Sequence, residues 1–152
     1  MRIALATFAV LLTGTLPVFA QGSHADLLAG PAAVEGGPAP LPKGAQLAVL
    51  SGDPSKTGLY VIRIKMPANY QIPAHHHPTA ENVTVLSGSF HAGMGDKMDK
   101  SKAQAFETGG FAALPANMNH YAWAANDTVI QVHGEGPFAI TYVNPTDDPS
   151  AK

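Results

Sequence analysis

The stretch PAHHHPTAENVTVLSG, residues 73–88, decides how the rest of the chain is read. It sets three consecutive histidines, a glutamate four residues further on and a β-branched run ending in glycine side by side. In an extended strand alternate side chains share a face, and residues two apart lie about 7 Å from each other. His75 and His77 then point one way, His76 points the other, and Glu81 keeps the odd parity. Two imidazoles and a carboxylate on one side of a sheet make a donor set suited to Mn, Fe, Co, Ni, Cu or Zn. Spacing alone also fits a solvated histidine loop, so the donors need support from elsewhere in the chain.

Outward from this stretch, turn residues recur at short intervals, and the runs between them favour β-branched and aromatic side chains. Strands are expected at 46–50, 58–66, 82–86, 89–94, 111–114, 120–124, 128–133 and 138–143, with 67–73 as a connection. The run GLYVIRIKM sets Tyr60, Ile62, Ile64 and Met66 against Arg63 and Lys65, the pattern of one buried and one wet face. Residues 97–105 are the one place where a turn or two of helix is expected. Eight or nine short strands at regular spacing belong to an all-β sandwich or barrel rather than an α/β fold.

With 152 residues the chain has room for one domain of ordinary size. Residues 1–20, with Arg2, an apolar run and the breakers Gly14 and Pro17 before Ala20, read as a secretory signal cleaved after Ala20. Gly14 and Pro17 argue against a stable spanning helix, so an exported protein, periplasmic or secreted and free of the membrane after cleavage, is expected. Residues 21–43 form an Ala/Gly/Pro-rich arm, 44–144 the folded domain and 145–152 a polar tail. The mature part holds 8 basic and 11 acidic residues, a net charge of −3 with histidines neutral. Lysines cluster only at 97–102, around Asp99, so no phosphate-binding surface and no nucleic-acid partner is expected. There is no cysteine, which excludes disulfides and thiolate ligands and leaves nitrogen and oxygen donors for any metal.

The second candidate donor is His120, which follows Pro115 and opens an expected strand. Here the residues resemble the cupins, whose first motif reads G(x)5HxH(x)3-4E(x)6G and whose second reads G(x)5PxG(x)2H(x)3N. His75, His77, Glu81 and Gly88 fall on the first motif, and Gly109, Pro115 and His120 on the second. Asn69 and Asn117 stand where the motifs have glycine, and Ala124 stands where the second ends in asparagine. Asparagine tolerates positive φ better than most residues, so the two glycine positions can keep their turns. Ala124 leaves its role unfilled. The resemblance covers residues 46–143. It implies a single-domain jelly-roll barrel with one divalent transition metal, Fe, Mn, Ni, Cu or Zn, held inside by His75, His77, Glu81 and His120.

His91, Gln131 and His133 are candidates for substrate contacts if their faces turn inward; a core or structural role is the alternative for His91. Tyr121 and Trp123 alternate with His120 and so point away from the metal, which suits a homodimer contact on the outer sheet face. Tyr60, Ile62, Ile64, Met66, Val83, Val85 and Phe111 are expected to line the barrel. Two functions stay open. One is a metal-dependent enzyme of dioxygenase, decarboxylase, lyase or isomerase type acting on a small anionic or enol-type molecule, with Glu81 as ligand or base. The other is a non-catalytic exported protein that holds a metal or small ligand. Fold-level analogy does not choose among the four chemistries.

Overall fold

A computed structural model describes residues 41–151. The expected signal segment and nearly all of the arm lie outside the described residues. Ten strands follow in order: β1 Gln46–Ser51, β2 Gly58–Met66, β3 Gln71–His76, β4 Glu81–Ser87, β5 Ser89–Met94, β6 Gln104–Glu107, β7 Phe111–Leu114, β8 His120–Ala124, β9 Thr128–Gly136 and β10 Thr141–Tyr142. They form two five-stranded sheets, β1-β2-β9-β4-β7 and β10-β3-β8-β5-β6, packed as a jelly-roll barrel. Among the described residues no helix is long and apolar enough to cross a membrane.

The alternating runs bury one face as their spacing demands. Tyr60, Ile62, Ile64 and Met66 of β2 and Val83 and Val85 of β4 are all buried in the main core. They meet Ile130 and Val132 of β9, Phe90 of β5 and Ile72 of β3 across the barrel. Phe111 is the exception: it is 53% exposed, while its neighbours Ala112 and Leu114 turn inward. The register explains this, because β7 pairs Ala112 with Val83 and Leu114 with Glu81, which commits the even positions to the interior.

Two elements differ from the sequence pattern. Residues 97–105 form no α-helix; a single 3-10 turn, Lys100–Lys102, is capped by the Asp99 side chain and leads directly into β6. The apolar residues there are too sparse to cover a helix, and β6 pairs with β5 instead. The strand expected over 138–143 contracts to Thr141–Tyr142, paired with His76 and His75.

Every residue of β8 is buried. Its inner face meets the barrel, and its outer face carries Tyr121 and Trp123 under Met98 and Ala103. The Tyr121 hydroxyl donates to the Asp99 carbonyl at 2.8 Å. Gly93 makes room for that ring, since a Cβ there would lie 2.5 Å from the tyrosine hydroxyl. The segment 96–103 thus covers the surface on which a subunit contact was expected, and a partner on this side would meet that segment first.

Candidate metal centre

The histidine stretch does not run as one regular strand. Pro73 sits inside β3, where it cannot donate to the ladder, and the pairing with β8 shifts between Ile72 and His75. Ile72 therefore faces the main core, Ala74 the outer cluster with Tyr121 and Trp123, and His75 the interior again. His77 lies just beyond β3. Glu81 begins β4 in the opposite sheet. Its position inside is thus set by the two sheets facing each other, and not by continued parity along one strand.

The two motifs are clamped together. His75 pairs directly with His120 across β3 and β8, and the Asn117 amide donates to the His77 carbonyl at 2.8 Å. Asn69 and Asn117 have φ of 64° and 59°, so asparagine does adopt the left-handed turn at both positions where cupin motifs carry glycine.

His75, His77 and His120 are all buried and offer ligand atoms within 4.8 Å of one another. Nitrogens about 2.1 Å from one ion lie about 3.0 to 3.4 Å apart in cis or tetrahedral positions, so side-chain movements of about 1 Å suffice. Each ring has its Nδ1 against a backbone carbonyl: Pro73 for His75 at 2.7 Å, Ala139 for His77 at 2.8 Å and Met118 for His120 at 2.9 Å. A carbonyl only accepts, so in each neutral ring Nδ1 carries the proton and Nε2 is left to bind an ion in the interior. The Nε2 atoms of His77 and His120 are buried with no hydrogen-bond partner. Buried polar atoms left unpaired are costly, and three oriented imidazoles with such atoms fit a transition ion.

Glu81 stands beside this group, with Oε2 3.4 Å from His77 Nε2 and 3.6 Å from His120 Nε2. Burial pushes its carboxyl up, but the imidazoles of His120 and His77 outweigh that and hold it below the usual carboxylate range. Burial likewise pulls His77 down, and the Glu81 carboxylate reverses the effect and raises it. His75, buried and beside the other two rings, is lowered to about 3. Tyr60 is pushed up, first by burial and then by the Glu81 charge. The Phe138 ring stacks on His77, centroids 4.9 Å apart and planes 19° apart.

These groups line a cavity of about 20 Å³, room for about one water. Apart from His75, His77, His120 and Glu81, its lining is apolar: Leu41, Ile72, Leu114 and Phe138 are typical. The other candidates lie elsewhere. His91 is on the outer face of β5, stacked on Trp123 at 4.7 Å and 3.2 Å from the Ser89 hydroxyl. Gln131 takes a long 3.4 Å contact from Arg63, and His133 lies 6.5 Å from the exposed Phe111 ring. Both are on the outer face of β9, because Ile130 and Val132 hold the inner one. His76 points out of the chamber and meets Asn119 at 3.1 Å. Leu41 and Phe138 were not among the expected chamber walls: Leu41 lies in the Pro/Gly-rich arm, and Phe138, at the start of the strand expected over 138–143, falls outside β10.

A jelly-roll barrel with imidazoles gathered inside from paired strands defines the cupin class. Within it the chain belongs to the ChrR cupin-like domain family, whose model matches residues 38–139. No curated protein matches the chain. Similar solved structures include the polyketide cyclase RemF from Streptomyces resistomycificus, 17% identical over 70% of this chain and 76% of that one, with a TM-score of 0.57. Salicylate 1,2-dioxygenase from Pseudaminobacter salicylatoxidans is 13% identical over 66% of this chain and 28% of that one, with a TM-score of 0.53. A conserved protein of unknown function from Streptococcus pyogenes is 17% identical over 65% of this chain and 81% of that one, with a TM-score of 0.51. At these identities the likeness shows the fold alone.

Proposed function

We propose that this chain is an exported cupin that binds one divalent transition ion through His75, His77 and His120, with Glu81 beside them, and that its primary role is to hold that ion. The observation that carries this reading is the chamber: about 20 Å³, walled by apolar side chains, with no polar side chain among the described residues other than the candidate ligands and Glu81. An enzyme for an anionic or enol-type substrate needs groups to bind and orient it, and His91, Gln131 and His133, the side chains considered for that task, lie outside. When bound, the ion supplies a Lewis acid that polarises whatever occupies its remaining position. The protein's part is to fix the three Nε2 lone pairs, keep Glu81 ionised beside them and exclude water. Export rests on the apolar segment 1–20.

Elemental analysis of protein purified without a metal-affinity step tests the reading. About one ion per chain is expected. A folded protein that carries none and has no affinity for added Mn, Fe, Cu or Zn overturns it.

A second reading, a metal-dependent enzyme acting on a very small molecule, is favoured by one feature: the three histidines form a group by themselves, leaving Glu81 free to serve as a base. Oxygen uptake or substrate loss by metal-loaded protein, abolished in Glu81→Gln while the ion is retained, would establish it.

A further inference from the structure

We propose that Leu41 is the removable stopper of the metal chamber, and that the short strap carrying it decides what reaches the three Nε2 atoms. Among the described residues thirteen line the chamber, and twelve of them are buried; Leu41 is the one that is only half-buried. A side chain that both lines a cavity and meets solvent is a wall one residue thick. Ile64, Ile72, Phe90, Leu114, Ala122 and Ile130 belong to strands locked in the two sheets. Leu41 precedes the first strand, in a segment without ladder pairing to either sheet.

What holds the strap is local. The Tyr70 hydroxyl donates to the Pro42 carbonyl at 2.5 Å, and Leu41 packs against the main core without being buried in it. After Lys43 comes Gly44, with φ of 112°, where Pro67 and Tyr70 approach within 3.7 Å of an added Cβ. The strap therefore turns over Tyr70 and lays one leucine across the barrel end. Among the described residues this segment has one side-chain hydrogen bond and the partly buried Leu41 and Ala45 against the core, so it opens at lower free energy than the strands around it. Closed, the chamber has room for one water; with Leu41 withdrawn, the imidazoles become accessible to larger molecules. The idea deepens the metal-holding reading and rests on it for its purpose, but the opening itself can be measured without metal.

The test is acylation of histidine by diethyl pyrocarbonate in the metal-free protein, followed by peptide mass spectrometry. The reagent is much larger than water, and the unprotonated imidazole nitrogen attacks its carbonyl, forming an ethoxycarbonyl adduct and releasing ethanol and carbon dioxide. His120, 1% exposed, reports on the chamber, and half-buried His133 on the outer sheet face is the reference; no lysine or arginine lies between them, so chymotrypsin, cutting after Tyr121 and Trp123, is used to separate their peptides. In the unaltered protein His133 should react and His120 should resist. Leu41→Ala should speed labelling of His120 roughly tenfold or more, with His133 unchanged. Tyr70→Phe, which keeps the leucine and removes its anchor, should give a smaller increase, and it carries the test should Leu41→Ala fold poorly. Leu114→Ala, in the opposite sheet, controls for general loosening. Labelling of His120 that is unchanged in both variants, or raised as much by Leu114→Ala, overturns the proposal.

A second arm separates the stopper from the metal. Protein loaded with Co(II) should pass it to excess EDTA roughly tenfold faster in Leu41→Ala at unchanged stoichiometry. A protein that takes up no Co(II) overturns the metal-holding function, and the labelling result then still decides the stopper.

Discussion

Replacing His120 by alanine is expected to weaken metal binding by at least about 100-fold, whereas His76→Ala should leave it within a fewfold. Competition against a chelator of known affinity measures both. The contrast follows from placement: His120 Nε2 is buried and unpaired inside, while His76 meets Asn119 outside the chamber. The same rings set the response to acid. His75 is lowered to about 3 from an ordinary 6.5, so the unfolded chain takes up its proton first. The metal-free protein should therefore lose stability as pH falls from 6.5 toward 3, with a slope of at most ~1.4 kcal/mol per pH unit from this ring. Glu81, held low when folded, adds to the loss below its ordinary 4.5. His77 is raised, so its contribution is complete below 6.5 and is lost as pH rises above that value. It does not offset the acid loss. Urea unfolding at several pH values checks this, and His75→Gln should flatten the slope between pH 6.5 and 4.5.

The turns can be tested at the scale of the element. Gly88 joins β4 to β5 with φ of 85°, and a Cβ there would run into the Asp127 carbonyl and Thr128. Gly88→Ala should cost about 3 kcal/mol by thermal or urea unfolding. Asn69→Gly and Asn117→Gly, already left-handed, should change stability by less than about 1 kcal/mol. The same elements show what a sequence can reveal. β2, β5, β7 and β8 were legible to the residue, because each is an alternating or β-rich run between turn residues. β3 was not, because Pro73 and its bulge hide a strand inside what looks like a connection. Alternation also fixes that two faces differ without saying which one is inside, and for this reason Phe111, Gln131 and His133 turned out to face solvent. Their neighbours Ala112, Ile130 and Val132 hold the interior. His75 and His77 were visible from spacing, His120 only through resemblance to a second motif. Leu41 was invisible, since a three-dimensional closure by one leucine in a Pro/Gly-rich strap leaves no periodic trace.

For the whole molecule, the metal should act as a stabilising ligand. Binding to the folded chain at a thousandfold excess over Kd contributes about 4 kcal/mol. Stripping the ion with a chelator is then expected to lower the melting temperature by roughly 10 °C or more in a domain of this size. Differential scanning calorimetry with and without added metal measures it, and His120→Ala should abolish the difference.

The three imidazoles all rise from the sheet containing β3 and β8, or from its edge, whereas Glu81 stands on β4 in the other sheet. An ion held by the histidines alone would belong to one half of the barrel. An ion that also engages Glu81 would rivet the halves together, in a protein with no disulfide to do so. Under tensile load the two designs fail differently: a one-sided ion leaves the seam between the sheets as weak as before, while a shared ion must be torn from its carboxylate before the seam parts. Glu81→Gln should then retain the ion yet lower the force at which the metal-loaded barrel opens in single-molecule pulling, while leaving that of the stripped protein nearly unchanged.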